Sequence, residues 1–260
     1  MKYFTPNLQQ TLRMLDETAA SGRILLDTSA ATFPFGLQRG ISIETPDLFA
    51  FLLQSARSYG KYEGLIRVQT EYIDHLTSLS ENGMLFTVDD ILNKEMSDLQ
   101  YKSSQSIQDL TSMKYQQEMG KLAHSIDGLM ASLQKNVFAT KGVPGLDAVR
   151  EEIRNIYMTT DTPPSQRDKL LVSSAFHLNA ANSERINILS NDGHIFELCV
   201  IHYGRNFHKE NPLELDVSCF SFDKDHGLDL TEMISKGYSG EVTFNNYARF
   251  LSNLTEGTLF

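Results

Sequence analysis

Two short runs constrain this chain more than any other feature: Arg23-Ile-Leu-Leu-Asp27 and Ile186-Asn-Ile-Leu-Ser-Asn-Asp192. The first is apolar without alternation, which suits a strand covered on both faces, as in a parallel sheet flanked by helices. The second carries Ile188-Leu189 straight into Ser190-Asn191-Asp192-Gly193, a polar, turn-forming sequence. Between and around these runs, apolar residues recur at helical spacing. Strands alternating with helices predict an α/β fold with a central parallel sheet sandwiched by helices. Ligands of such sheets bind beyond the carboxyl ends of the strands. Asp27 and Asp192 both stand at such ends, so they are expected to be partners.

The remaining punctuation fills in the organisation. Thr5-Pro6 places an N-cap before a proline at the first helical position, and Leu8, Leu12 and Leu15 line a helix closed near Gly22. Pro34, Gly36 and Gly40 mark a loop, Thr45-Pro46 opens a helix through Leu53, and a further helix fits 62–79. After the Asn82-Gly83 turn, Met84-Leu-Phe86 reads as a strand, and Thr87-Val-Asp-Asp90 as a capping-box-like start to a helix bearing Glu95.

From 101 to 138 the composition shifts to Gln, Ser, Met and Lys. Ile107, Leu110, Met119, Leu122, Ile126, Leu129 and Leu133 keep mostly helical spacing. This predicts a helical insertion, 100–145, within a single domain covering 1–260. Met113 and Met130 beside that stripe read as core. The single stripe suits docking on one side, or pairing with a second copy or an inhibitory protein partner. Helices are expected over 146–157 and 168–178. The runs LCVIHY and LDVSCFSF in 198–222 read as strands of a C-terminal β/α extension, 198–260, that ends in a helix over 242–254.

Composition narrows the chemistry. At 260 residues and 41% hydrophobic, the chain can bury a substantial core. A net charge of −10 argues against a surface built to coat duplex nucleic acid, because phosphate affinity comes from Lys and Arg. Two cysteines, Cys199 and Cys219, are too few for a disulfide framework and lack zinc-ligand spacing, which fits a reduced, cytoplasmic setting. The start MKYFTPNLQQTLRML has no signal-peptide core, and no 18-residue apolar run predicts a membrane span. Asp223 to Asp229 resembles a calcium loop only briefly: Leu228 and Ile234 stand where an EF-hand needs Gly and Glu. A P-loop, a dinucleotide glycine motif and a hydrolase elbow are absent. Ser29 stands where a haloacid-dehalogenase-type phosphatase needs its second Asp. His75, His124, His177, His202, His208 and His226 form no zinc spacing, and His194 reads as a surface or packing residue.

Four segments, in order, resemble the PIN-domain nuclease family. ILLDTSA (24–30) is similar to the first strand with its terminal Asp27. LFTVDDILNKEM (85–96) is similar to the second strand and the helix bearing Glu95, with Asp89 and Asp90 competing for that role. RDKLLVSSAFHL (167–178) is similar to the helix opening with Asp168, and INILSNDGHI to the strand ending Ser/Thr-x-Asp at Asp192. The matched core covers roughly half the chain, leaving out 100–145 and the last 60 residues. The resemblance implies a PIN-like fold and a metal-dependent endoribonuclease, with catalytic and metal-binding Asp27, Glu95, Asp168 and Asp192.

Carboxylates converging beyond a sheet repel one another if left bare. A hard cation resolves this. Mg²⁺ or Mn²⁺ takes oxygen ligands and keeps waters, so Asp and Glu suit it, and such an ion can activate a water against a phosphodiester. Asp27, Asp168 and Asp192 are then expected within roughly 8 Å of one another, the span that one or two shared ions bridge. Thr28, Ser29 and Ser190 could hydrogen-bond a metal water or a phosphate. Lys94, Arg167, Lys169 and Arg185 are the cations nearest in sequence and could meet an RNA substrate. Each acid also has a plainer reading: Asp27 as an N-cap, Asp192 as a turn residue, Asp168 as first-turn charge, Glu95 as a solvated helix residue. A catalytically silent PIN-like scaffold or regulatory binding module is the alternative.

Overall fold

A computed structural model describes residues 3–4, 7–34, 36–37, 41–42, 63–108, 113–154, 163–207, 209–211, 213–222, 230–236 and 242–244. The elements follow in chain order. β1 (Tyr3–Phe4) and α1 (Leu8–Ser21) precede β2 (Arg23–Leu26) and a 3-10 turn at Thr28–Ala30. Two short strands, β3 (Gly36–Leu37) and β4 (Ile41–Ser42), lead toward α2 (Glu63–Glu81) and β5 (Leu85–Val88). The next helix begins as α3 (Asp89–Ile91), widens into a π turn at Leu92–Met96 and continues as α4 (Ser97–Gln108). After it come α5 (Met113–Lys135), β6 (Val137–Phe138), α6 (Leu146–Arg154), α7 (Gln166–Asn182) and β7 (Ile186–Leu189). The described chain finishes with α8 (Gly193–Phe207), β8 (Val217–Phe222), β9 (Leu230–Lys236) and β10 (Val242–Phe244).

The apolar runs do become central strands. Ile24, Leu25, Leu26, Ile186, Ile188 and Leu189 are each no more than 1% exposed, as strands covered on both faces must be. The fold is α/β, with one seven-stranded sheet in the order β10-β9-β8-β7-β2-β5-β6. Its five strands from β8 to β6 are parallel, while β9 and β10 run antiparallel at one edge, so the sheet is mixed rather than wholly parallel. β1, β3 and β4 form a separate small antiparallel sheet.

From β2 the chain first steps outward through β5 to β6, then returns to the other side of β2 through β7 to β8. Right-handed crossovers place the helices of the two excursions on opposite faces. Accordingly α2 packs on α1 and α5, and α7 packs on α6 and α8. The direction of winding reverses between β2 and β7, which opens a crevice beyond their carboxyl ends. The two strands are aligned there, with Leu26 opposite Leu189 and the Asp27 N–H donating to the Leu189 carbonyl at 3.0 Å.

Several expectations need correction. α1 is capped by Asn7, whose side chain accepts from the Gln10 N–H, two residues later than Thr5-Pro6 suggests. LCVIHY is not a strand but the middle of α8: Ile195, Leu198 and Cys199 are fully buried and recur at helical spacing, with Tyr203 on the same face. An unbroken apolar run looks alike in a buried helix and a buried strand.

The segment 100–145 supplies α5 and β6 to the crossover itself. Met119, Leu122, Ile126, Leu129 and Leu133 are buried in the common core, so this part of the stripe is covered within the chain, while Leu110 and the side chain of Ile107 lie outside what is described. Val242–Phe244 is an edge strand, not the start of a helix. The expected helix over 45–53, the rest of the 242–254 tail and the 223–229 loop lie outside the described residues. Cys199 and Cys219 are buried free thiols with their sulfurs 3.5 Å apart. No described helix is long and apolar enough to cross a membrane.

Candidate functional site

The crevice between β2 and β7 collects carboxylates from four separate segments. Asp27 stands one residue past β2, is 7% exposed, and is gripped by two hydroxyls. Ser190 Oγ donates to its Oδ2 at 2.7 Å, and Ser29 Oγ donates to the same oxygen. Its side chain makes no capping bond to the turn that follows, so the N-cap reading of Asp27 fails. Burial pushes the Asp27 carboxyl up to about 6, despite both hydroxyls, and repulsion from Glu95 and Asp192 adds to the rise.

The turn after β7 is assembled around this carboxylate. Ser190 Oγ accepts from the Asp192 N–H at 3.0 Å while it holds Asp27. Asn191 locks the loop to both neighbours: its N–H donates to Ser29 Oγ at 2.8 Å and its Nδ2 to the Ser29 carbonyl at 2.8 Å. Its Oδ1 accepts from the Phe222 N–H at 3.1 Å. Asp192 then does what its turn sequence predicts, accepting from the His194 N–H at 2.9 Å and so capping α8. The cap engages one oxygen of a group with about four acceptor positions, so capping and cation binding are compatible.

Glu95 reaches the same place from the π turn, an irregularity frequent at functional sites. Thr28 Oγ1 donates to its Oε2 at 2.7 Å, and Arg167 Nη1 to its Oε1 at 2.8 Å. Arg167 also lies 3.5 Å from Asp90. Its pKa is raised first by the bond to Glu95, then by the charges of Glu95, Asp90 and Asp168. The neighbouring acids are distinguished by their partners. Asp89 is tied to the loop after β6, accepting from Thr140 Oγ1 at 2.7 Å and the Thr140 N–H at 3.2 Å. Asp90 is held by Lys94 at 2.5 Å and stays at the rim with Arg167.

Asp168 opens α7, whose amino end meets the carboxyl edge of the sheet because crossover helices run against their strands. It forms a capping box with Ser165: its Oδ2 accepts from the Ser165 N–H at 2.6 Å, and Ser165 Oγ accepts from the Asp168 N–H at 3.1 Å. Ligand atoms of Asp168, Asp192 and His194 all lie within 4.8 Å of one another, a spacing that could hold a cation. His194 Nδ1 is 3.2 Å from Asp192 Oδ1.

The candidate substrate residues divide. Thr28, Ser29 and Ser190 are all in the site, orienting its acids. Arg167 and Lys94 line the rim. Lys169 turns away, donating to the Arg154 carbonyl at 3.3 Å. Arg185 is at the wrong end altogether: it precedes β7 and binds Asn187, Ser218 and Glu232 beneath the sheet. Adjacency in sequence to a strand says nothing about which end of the strand a side chain serves.

Glu197 was not anticipated. It lies on α8, is 1% exposed, and neither of its oxygens has a hydrogen-bond partner among the described residues. The one signal in the sequence is its isolation, a lone charge inside the apolar run His194-Ile-Phe-Glu-Leu-Cys-Val-Ile201. Comparison with protein families, curated proteins and solved structures finds no match to this chain.

Proposed function

We propose that this protein is a divalent-metal-dependent endoribonuclease of PIN-like design. The observation that carries the reading is a chain of neighbouring acids, Asp27 in charge contact with Glu95 and Asp192, and Asp168 within 4.8 Å of Asp192, at the switch point of a doubly wound sheet, where such folds bind ligands. The donor set fits a hard dication: it is oxygen-rich, drawn from separate elements and braced by hydroxyls rather than by opposing charges alone. Mg²⁺ or Mn²⁺ held by these four acids would lower the pKa of a bound water and offset charge on a phosphodiester.

The chain's own residues have distinct parts. Ser29 and Ser190 hold Asp27 Oδ2 and thereby fix the carboxylate's orientation. Thr28 does the same for Glu95. Arg167, 40% exposed and anchored on Glu95, presents a planar cation to an incoming phosphate. Lys94 stands beside it. With so few cations at the rim and a net charge of −10, binding rests on a small number of phosphate contacts, which suits a short RNA element.

The second reading, a silent scaffold, is favoured by one feature. Arg167 already neutralises Glu95 and Asp90 within the chain, as an internal cation would in a site that never takes a metal. The two readings separate in a cleavage assay. A mixed cellular RNA pool and duplex DNA are incubated with the full chain and Mn²⁺, Mg²⁺ or EDTA. Metal-dependent RNA cutting is expected. Cutting of duplex DNA with RNA left intact would overturn the substrate, and no cutting of either would favour the scaffold.

A further inference from the structure

Glu197 is the feature that the nuclease reading leaves unused. A buried carboxylate without a donor is costly when ionised, unless a cation lies close enough to oppose it. Glu197 stands one helical turn after His194, on the same face of α8. The two groups interact electrostatically: burial raises the Glu197 pKa and the charge of His194 pulls it down. On the other side of His194 are Asp168 and Asp192, with ligand atoms of all three within 4.8 Å. An imidazole thus stands within 4.8 Å of two half-buried carboxylates and in electrostatic reach of a third that is buried and without a hydrogen bond among the described residues.

We propose that Asp168, Asp192 and His194 form a mixed nitrogen–oxygen site for a transition-metal dication, with Glu197 as a positioning residue that supports it from within α8. The proposal rests on the nuclease reading for the metal's role, but it names a different ligand set and a different preference. Mg²⁺ demands near-octahedral oxygen coordination and gives up water reluctantly, so an imidazole in the ligand set disfavours it. Mn²⁺, Co²⁺ and Zn²⁺ accept imidazole together with carboxylate. The site therefore discriminates among metals that an all-carboxylate cluster would bind more evenly. Glu197 makes no hydrogen bond to the ring, so it acts on His194 through its charge, raising the imidazole's basicity from one helical turn away.

The test is direct detection of the nitrogen ligand in the full chain loaded with Mn²⁺, by pulsed electron paramagnetic resonance, with Mn²⁺ and Mg²⁺ affinities measured in parallel. The wild type is expected to show imidazole nitrogen coupling, and His194→Gln to lose it. His194→Gln should also weaken Mn²⁺ at least about tenfold while changing Mg²⁺ affinity less than about twofold. Glu197→Gln should keep the nitrogen signal but weaken Mn²⁺ by roughly tenfold, the usual scale for loss of an outer partner. Bound Mn²⁺ without nitrogen coupling in the wild type would overturn this site and leave the four-carboxylate centre standing. Failure to bind Mn²⁺ at all, together with no RNA cleavage, would sink both. An unchanged Mn²⁺ affinity in Glu197→Gln would remove Glu197 from the assignment, and half-buried His194 keeps the main test independent of that variant's folding.

Discussion

The two ends of β2 and β7 are built from the same sheet and treat polar groups in opposite ways. At the amino end, Asn187 is fully buried, and its Nδ2 donates to the carbonyls of Thr18 and Gly22 at 3.0 and 2.9 Å. Arg185 donates to Asn187 Oδ1, to Ser218 Oγ at 2.8 Å and to Glu232 at 2.9 Å. One cation meets one carboxylate, and the amides and carbonyls are paired. The backbones approach so closely that a Cβ on Gly22 would lie 2.4 Å from the Arg185 carbonyl oxygen. At the carboxyl end, Asp27, Glu95, Asp168, Asp192 and Glu197 face Arg167 and His194. The amino end pairs its charges within the chain, Arg185 with Glu232 and Arg23 with Glu184, leaving only single atoms such as Arg23 Nε and Asp216 Oδ1 without a hydrogen bond among the described residues. The carboxyl end holds an excess of negative charge that only an added cation or proton relieves. Satisfied polar groups hold a fold together, and unrelieved ones mark where a fold is available for chemistry.

Removing an acid is the strongest way to break this contrast. Asp27→Asn or Asp192→Asn should reduce RNA cleavage by roughly 1,000-fold or more, about 4 kcal/mol of transition-state stabilisation. Asp27→Asn should also leave the melting temperature in EDTA unchanged or raised, because it relieves repulsion. Single-turnover rates and thermal melts on the same samples would check this. A large drop in melting temperature with activity retained would return Asp27 to a structural role.

Acidity gives the next largest effect. The Asp27 pKa is about 6 in the fold against an ordinary 3.8. An acid raised by folding stabilises the fold while protonated, fully below the lower value, and that contribution is lost as pH rises through the higher one. In EDTA the wild type should therefore lose up to about 3 kcal/mol relative to Asp27→Asn between pH 4 and 7. Denaturant melts across that range measure it, and parallel curves would show that Asp27 ionises normally.

The amino end should answer differently. Asn187→Leu removes the Asn187 bond to the Gly22 carbonyl and strands the Arg185 Nε donor, while the Thr18 carbonyl keeps its bonds from the Gly22 N–H and Ser21 Oγ, at a cost of about 2 kcal/mol. That loss should not depend on metal, whereas the wild type and the variant should gain alike from millimolar Mn²⁺ by mass action. Chemical denaturation with and without Mn²⁺ would show it. A variant that lost its metal response would mean the two ends are coupled.

The smallest effect sharpens the substrate side. If Arg167 contacts one phosphate, Arg167→Ala should lower the slope of log affinity against log salt by only about 0.7 on a single strand. Filter binding of RNA to the Asp192→Asn protein at several salt concentrations reads this slope. No change would leave Arg167 as a countercharge for Glu95 and Asp90 alone.

The sequence by itself determined the parts that depend on local pattern. The short apolar runs at 23–26 and 186–189 fitted strands buried on both faces, and turn chemistry at Ser190-Asn191-Asp192 placed an acid just beyond one of them. Even the plainer readings of Asp168 as first-turn charge and Asp192 as a turn residue were legible, because each needs only neighbours a few residues away. Tertiary structure decided everything that depends on distant partners. LCVIHY became helix because its apolar residues pack on α7 and the sheet, a choice that periodicity within a buried run does not make. The segment 100–145 became a crossover because β6 pairs with β5. Arg185 and Arg167 look alike in sequence, yet one is sealed beneath the sheet and the other stands at the crevice. Glu197 was hidden for the same reason: whether a carboxylate is solvated or stranded is set by what the fold brings around it, and charge alone carries no record of that.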